Sequence, residues 1–218
     1  VVTDLQKITK NIKNQIIEAA LCRFYYFSAM YQQNTPLILA SKSPRRQELM
    51  QFMGLDFKVL LKDVDESYPE HLLPAEIACY IAEKKAVAFI AERLESLVIT
   101  ADTIVAYDGE ILGKPADAAE AKRMLSKLSG STHQVYTGVS LAFKDQLQTF
   151  YDQTEVCFRT LTAAEIDYYI AKYKPFDKAG SYGIQDWLGF VAVEKITGSY
   201  TNVMGLPTEK LYTALSNF

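Results

Sequence analysis

Cysteine is scarce in this chain and spaced wrongly for chemistry that uses it in pairs. Cys22, Cys79 and Cys157 are far apart and form no CxxC pair, which argues against a disulfide framework or a zinc site and fits a reducing, cytoplasmic setting. Histidine is equally sparse. His71 and His133 are the whole complement, and each is expected at the surface or in a loop rather than on a metal. No apolar run reaches the roughly 18 residues of a membrane span, so no membrane partner is expected. No charge sign dominates either: 23 Lys and Arg stand against 26 Asp and Glu, a net charge of −3, mixed along the chain. The electrostatic footprint of a nucleic-acid-polymer binder is therefore missing, while a small anionic substrate stays open. Internal repeats and low-complexity segments are absent.

With 218 residues and 49% hydrophobic content, there is enough apolar surface for one domain or two closely joined lobes. Residues 1–33 read separately from 34–218. Leu5, Ile8, Ile12 and Ile16 recur at helical spacing with Lys7, Lys10 and Lys13 between them, an amphipathic pattern with no signal-peptide cleavage site. The chain begins with Val, and Met30 precedes the first apolar strand. An extension upstream of the natural start is favoured over a targeting or membrane-surface helix, which would carry the same pattern.

The run from Leu37 to Arg46, LILASKSPRR, holds a buried strand, a hydroxyl-rich turn, a helix start and two guanidinium groups. Ser43 suits an N-cap and Pro44 the first helical position, where a missing N–H costs nothing. The helix should continue to about Met53. Its free N–H groups and positive dipole end, with Ser41, Ser43, Arg45 and Arg46 as further donors, suit an anion, and phosphate best. Arginine matters because its planar fork holds two oxygens at once. An ordinary capped helix with a solvated basic first turn would show the same residues, and both readings stand at this point.

Further along, Gly54 closes a turn, Phe57 to Leu61 reads as a strand, and Pro74 to Arg93 as a long helix. Leu97 to Ala101 suits a buried strand ending on Asp102 and Thr103, with Ile104–Tyr107 and Glu110–Leu112 as hairpin arms around Asp108–Gly109. Helices are predicted over Ala118–Leu128 and Ala163–Lys172, strands over Gln134–Lys144, Thr149–Arg159 and Phe190–Ile196, and a last helix after Leu206–Pro207. Strands and helices alternate at first and hairpins follow, which predicts an α/β fold with a mixed sheet and flanking helices.

Several charged residues fall at the ends of apolar segments. A carboxylate such as Asp102 at a strand end can bind a divalent ion, orient water or accept its proton. Glu66, in the acidic segment Asp63-Val64-Asp65-Glu66, can add a second hard oxygen ligand. Lys85 and Lys114 are candidate phosphate contacts, although helix and loop lysines usually face solvent.

Taken in order, Ser41-Lys42-Ser43-Pro44-Arg45-Arg46, Asp65-Glu66, Ala82-Glu83-Lys84-Lys85-Ala86, Ala101-Asp102-Thr103, Gly113-Lys114-Pro115 and Ala179-Gly180-Ser181-Tyr182-Gly183-Ile184-Gln185 closely resemble the motifs of the Maf proteins, nucleoside triphosphate pyrophosphatases. The resemblance covers the chain from Leu37 onward. It implies an elongated two-lobed fold of the Maf and inosine-triphosphatase type with a central cleft, a divalent metal (Mg or Mn), and hydrolysis of a nucleoside triphosphate to monophosphate and pyrophosphate. It makes Asp102 the proton acceptor, with Glu66 and Lys85 beside it in the catalytic set, and Glu66 and Asp102 the metal ligands. Ser41, Ser43, Arg45, Arg46, Thr103, Lys114 and Gln185 form the expected substrate-binding set. The combination of Arg45, Thr103 and Gln185 is similar to the branch acting on dTTP and UTP, and the Gln185 amide can pair with the N3–H and a carbonyl of uracil or thymine. A pyrophosphatase for a modified purine nucleotide and a nucleotide-sensing regulator of cell division are the alternatives. A homodimer is left open.

Overall fold

The sheet is parallel where the chain enters it and antiparallel afterwards. A computed structural model describes residues 35–90, 92 and 95–218; the amphipathic segment through Leu5, Ile8, Ile12 and Ile16, together with Cys22, lies outside the described residues. Strands β1 (Leu37–Leu39), β2 (Phe57–Val59), β3 (Leu97–Tyr107), β4 (Glu110–Leu112), β5 (Thr132–Phe143), β6 (Gln146–Phe158) and β7 (Val193–Thr197) form one sheet. Its order is β2-β1-β3-β5-β6-β7, with β4 added on β3. β1 pairs in parallel with β2 and β3, and all later pairings are antiparallel. The mixed α/β class predicted from the sequence is the class observed.

The helices are α1 (Pro44–Phe52), α2 (Pro74–Ile90), α3 (Ala118–Leu128), α4 (Ala163–Tyr173), α5 (Trp187–Ala192), α6 (Tyr200–Met204) and α7 (Thr208–Asn217). α2 buries Ile77, Ala78, Ile81, Ala82, Ala86 and Phe89, a stripe at helical spacing. Each large apolar side chain among them contributes roughly 1.5–3 kcal/mol on full burial. Gly138 on β5 lets this helix come close. A Cβ at Gly138 would stand 2.3 Å from the Ala78 carbonyl oxygen, so only glycine allows the backbone of α2 to lie against β5 there.

One pairing detail creates the site. β5 follows one edge of β3 from Val98 to Ala106. On the opposite edge β1 covers Leu97–Ile99 and β4 covers Val105–Tyr107. Residues 100–104 lie between these two neighbours with no strand on that edge. The cleft opens there, as ligand sites in open α/β sheets open where neighbouring connections diverge.

Three sequence expectations need correction. Asp102 does not end a strand, because β3 continues to Tyr107; the uninterrupted ladder with β5 carries the backbone through the polar Asp102-Thr103 pair, and it is β1 that stops. Residues 190–192 are helical, not extended. Leu188 and Ala192 are the buried pair and Phe190 is 79% exposed, a spacing that suits a helix, and the strand begins only at Val193. His133 is fully buried on β5, enclosed edge-on by Phe158 and Tyr182, whereas His71 is exposed in a loop as expected.

Candidate active site

The turn after β1 forms one wall of a cleft of about 430 Å³. Ser43 occupies the N-cap position of α1 but its side chain makes no cap bond. Instead the Ser43 N–H donates to Ser41 Oγ at 3.2 Å, and Arg46 Nη1 donates to the same oxygen at 3.3 Å. With both lone pairs taken, the buried Ser41 hydroxyl can only donate. The Ser43 side chain, Arg45 and the first turn of α1 line the cleft beside it.

On the facing side α2 delivers Lys85. Its place in the buried stripe, next to Ala82 and Ala86, carries it over β3, where Nζ donates to Asp102 Oδ1 at 2.8 Å and meets Glu66 Oε1 at 2.8 Å. The Lys85 and Asp102 side chains are 16% and 14% exposed, so their attraction is less screened than that of a surface pair. Burial works to raise the Glu66 pKa, but the Lys85 hydrogen bond and the charges of Lys85, Lys114 and Arg46 outweigh it and hold the carboxyl below its ordinary value. Lys114, exposed after β4, lines the same cleft. Of the acidic segment, Asp63 pairs with Lys42 and Asp65 with Lys84; Asp63 borders the cleft at its exposed rim, and Glu66 is the carboxylate of the segment that meets Lys85.

Glu66 and Asp102 already share one cation, the Lys85 ammonium. Two hard carboxylates converging on one point are the donor set that magnesium takes when water and phosphate oxygens complete its shell. Among the described residues no group of three or more His, Cys, Asp or Glu is gathered for a metal.

The glycine-rich segment closes the cleft. Arg45 Nη1 donates to Asp177 Oδ2 at 3.2 Å. Lys178 Nζ bonds Asp177 Oδ1 at 2.7 Å and lies 3.8 Å from Asp186 Oδ2. Burial pushes the Asp177 pKa up, but Lys178 and Arg45 outweigh it and hold it below its ordinary value. Tyr169 of α4 donates to Asp186 Oδ2 at 2.8 Å and accepts the Gly183 N–H at 3.0 Å. Gly180 has φ +67°, a left-handed conformation natural to glycine. This bracing presents Gln185 to the cleft with its Oε1 buried and without a hydrogen-bond partner among the described residues. A buried acceptor left unpaired costs about 1–3 kcal/mol.

The cleft thus brings together Ser41, Ser43, Arg45, Glu66, Lys85, Asp102, Lys114 and Gln185. Two expected substrate ligands are differently engaged, although both border the cleft. Arg46 donates to the Gly205 carbonyl, the Ala101 carbonyl, Ser41 Oγ and Thr103 Oγ1 at 2.7, 2.8, 3.3 and 2.9 Å. Its fork is therefore filled by protein acceptors and cannot hold two phosphate oxygens. Thr103 accepts from Arg46 and lies 3.0 Å from Thr137 Oγ1, so its hydroxyl is engaged within the protein as well. Sequence reasoning missed Asp177, Lys178, Asp186 and Tyr169. Asp177 and Lys178 immediately precede the quoted glycine-rich stretch and Asp186 immediately follows it, where opposite charges beside glycines were the available signal; Tyr169 gave none, being one aromatic on an amphipathic helix.

Residues 36–218 match the family model described as Maf-like protein. The chain is 49% identical over 182 residues to a dTTP/UTP pyrophosphatase of Cytophaga hutchinsonii, covering 84% of each protein. It is 50% identical over 186 residues to one of Flavobacterium psychrophilum, covering 85% of this chain and 95% of that one. A third, from Phocaeicola vulgatus, is 52% identical over 181 residues, covering 82% of this chain and 94% of the relative. With the motifs of the cradle, the Lys85 centre and the Gln185 loop meeting in one cleft and the match running from residue 36 to the end of the chain, this protein belongs to the Maf-like family.

Proposed function

We propose that this protein hydrolyses nucleoside triphosphates, dTTP and UTP preferentially, to the monophosphate and pyrophosphate. The observation that carries the reading is the convergence of Lys85 on Asp102 and Glu66 in the same cleft as the Ser41–Arg45 turn. A carboxylate held beside a cationic wall is what water attack on a triphosphate needs. The names of the relatives described above support it.

In this mechanism the Asp102 carboxylate accepts a proton from water as that water's oxygen attacks the α-phosphorus. The bond from that phosphorus to the bridging oxygen breaks, and pyrophosphate leaves with the electron pair. Lys85 holds Asp102 through Oδ1 only, which leaves Oδ2 to take the proton. Ser41 and Ser43, the N–H groups of the first turn of α1, Arg45 and Lys114 neutralise the charge that builds on the leaving group. Asp177 holds Arg45 aimed along the cleft in the meantime. Glu66 and Asp102 would hold a divalent cation, magnesium or manganese, which when bound supplies charge neutralisation and a more acidic water. Gln185 reads the base edge, its unpaired Oε1 accepting the N3–H of uracil or thymine. Such an activity suits a cytoplasmic role in controlling the nucleotide pool, including removal of modified pyrimidine nucleotides.

A pyrophosphate-release screen across canonical and modified nucleoside triphosphates, with magnesium and with manganese, tests the proposal. Release from dTTP and UTP ahead of the purine nucleotides is expected. Binding without release would make the protein a sensor, and orthophosphate as the product would place the attack at the wrong phosphorus.

A further inference from the structure

Four of the five N–H groups of a guanidinium are engaged in Arg46. Nε donates to the Gly205 carbonyl at 2.7 Å, Nη1 to the Ala101 carbonyl at 2.8 Å and Ser41 Oγ at 3.3 Å, and Nη2 to Thr103 Oγ1 at 2.9 Å. Every one of these acceptors is neutral. Burial lowers the Arg46 pKa, and the nearby Asp102 charge opposes that effect without touching the guanidinium.

The acceptors frame the reacting carboxylate. Ala101 and Thr103 are the residues on either side of Asp102, within the stretch of β3 that has lost β1 and not yet met β4. On that open edge Arg46 pairs the Ala101 carbonyl, a backbone group that a neighbouring strand would pair elsewhere. Gly205, with φ +114°, turns its carbonyl to the same guanidinium from the end of α6.

The hydroxyls beyond Thr103 have a fixed direction. Thr137 Oγ1 donates its single proton to the Asn202 carbonyl at 2.9 Å. At the 3.0 Å contact between the two threonines, Thr137 must then accept and Thr103 must donate. Because Thr103 accepts from Arg46 at its other side, the order runs one way from Arg46 through Thr103 and Thr137 to Asn202. It ties α1 to β3, β5 and α6.

We infer that Arg46 is a positioning residue for the reaction: it sets the placement of Asp102 through the Ala101 carbonyl on one side and the Thr103 hydroxyl on the other, and the Thr103–Thr137 pair locks that placement to β5. The inference rests on the pyrophosphatase reading above. It separates the two arginines of the motif, with Arg45 facing the phosphates and Arg46 holding the base.

The test compares wild type with Arg46→Lys, Thr137→Val and Thr137→Ser. It uses kcat and KM for UTP and the Kd of α,β-imido-UTP, an analogue that resists cleavage. Lysine keeps the charge but cannot span four acceptors, so Arg46→Lys should lose about 10²-fold in kcat, the scale of a small misplacement of a catalytic group, with KM and analogue Kd within about threefold. Thr137→Val, nearly the same shape without the hydroxyl, should lose about tenfold in kcat alone, and Thr137→Ser should restore it to within about twofold. If Arg46→Lys fails to fold, the Thr137 pair decides, with folding checked by circular dichroism. Analogue binding weakened tenfold or more with kcat retained in Arg46→Lys would make Arg46 a phosphate ligand and overturn the inference. So would a Thr137→Val enzyme with wild-type kcat. A wild-type protein that releases no pyrophosphate rejects the underlying reaction instead.

Discussion

Lys85 Nζ lies 2.8 Å from Asp102 Oδ1, and both side chains are largely withdrawn from solvent. A helix residue and a strand residue are thereby joined at the one stretch of β3 that lacks a neighbour on its cleft edge. The pair has two consequences. It fixes the rotamer of the carboxylate, and it keeps a positive charge beside the place where a triphosphate would lie.

Asp102→Asn should leave the fold intact and lose on the order of 10²–10⁴-fold in turnover, the range for a positioned general base. Lys85 keeps its Glu66 contact at 2.8 Å, so no buried ammonium is orphaned and the thermal midpoint should stay close to wild type. Circular dichroism with steady-state kinetics measures both. Turnover within a few-fold of wild type in the folded variant would remove Asp102 from the chemistry.

Gly138→Ala tests the placement of Lys85. The added methyl would stand 2.3 Å from the Ala78 carbonyl oxygen, too close to be tolerated, so α2 must shift off β5 and carry Lys85 with it. A destabilisation of roughly 1–3 kcal/mol, the usual scale for overpacking, is expected. Turnover should fall too, although Gly138, opposite Asp102 in the β3–β5 ladder, does not line the cleft. Chemical denaturation read beside kcat checks this, and full activity in the destabilised variant would show that the height of α2 above the sheet does not matter.

Much of this arrangement was legible in the residues. Ser43-Pro44 as a helix start with arginines following at once pointed to an anion cradle, although an ordinary capped helix fitted the same residues, and Lys85 entered the candidate set through its motif, since a helix lysine alone usually faces solvent. Three features were not legible, each for a physical reason. The position of Asp102 within β3 depends on β5, more than thirty residues away in sequence, whose ladder carries the strand past its polar pair. The 187–192 helix is short and its exposed Phe190 imitates a strand residue, while its burial signal rests on Leu188 and Ala192 alone. Arg46 and Arg45 look alike in sequence; they differ because consecutive helix residues point about 100° apart, one into the protein and one along the cleft.

Stability in mild acid should carry a contribution from His133. Burial lowers its pKa from 6.5 to about 4, so between these values the unfolded chain takes up a proton that the folded protein refuses. Stability is then fully present above pH 6.5 and falls as the pH drops, by up to about 1.4 kcal/mol per pH unit from this residue. His133→Gln keeps a polar partner for the Tyr182 hydroxyl, 2.7 Å from Nε2, but cannot titrate. Carboxylates with lowered pKa values, Glu66 and Asp177 among them, also lose stability toward acid, so the informative quantity is the difference between variant and wild type. Thermal midpoints at pH 7 and pH 5 should converge between the two proteins as the pH falls; parallel curves would show that His133 is protonated in the fold or already neutral when unfolded.

Specificity provides the last prediction, on the residue with the unpaired acceptor. Gln185 Oε1 is buried and has no partner among the described residues, while its loop is braced by Lys178, Asp186 and Tyr169. An unpaired amide oxygen on a braced loop discriminates, because a base with the wrong edge leaves the group unpaired and a base with the right edge pairs it. Gln185→Ala should therefore reduce the preference for UTP over GTP by about tenfold or somewhat more in relative kcat/KM, corresponding to roughly 1–3 kcal/mol of lost base reading. The chemistry at Asp102 is untouched, so kcat on UTP at saturation should fall less than kcat/KM. Paired kinetics on UTP and GTP in both proteins decide the matter. An unchanged ratio would move base recognition away from Gln185, and a wild-type preference for GTP would show that the cleft reads a purine.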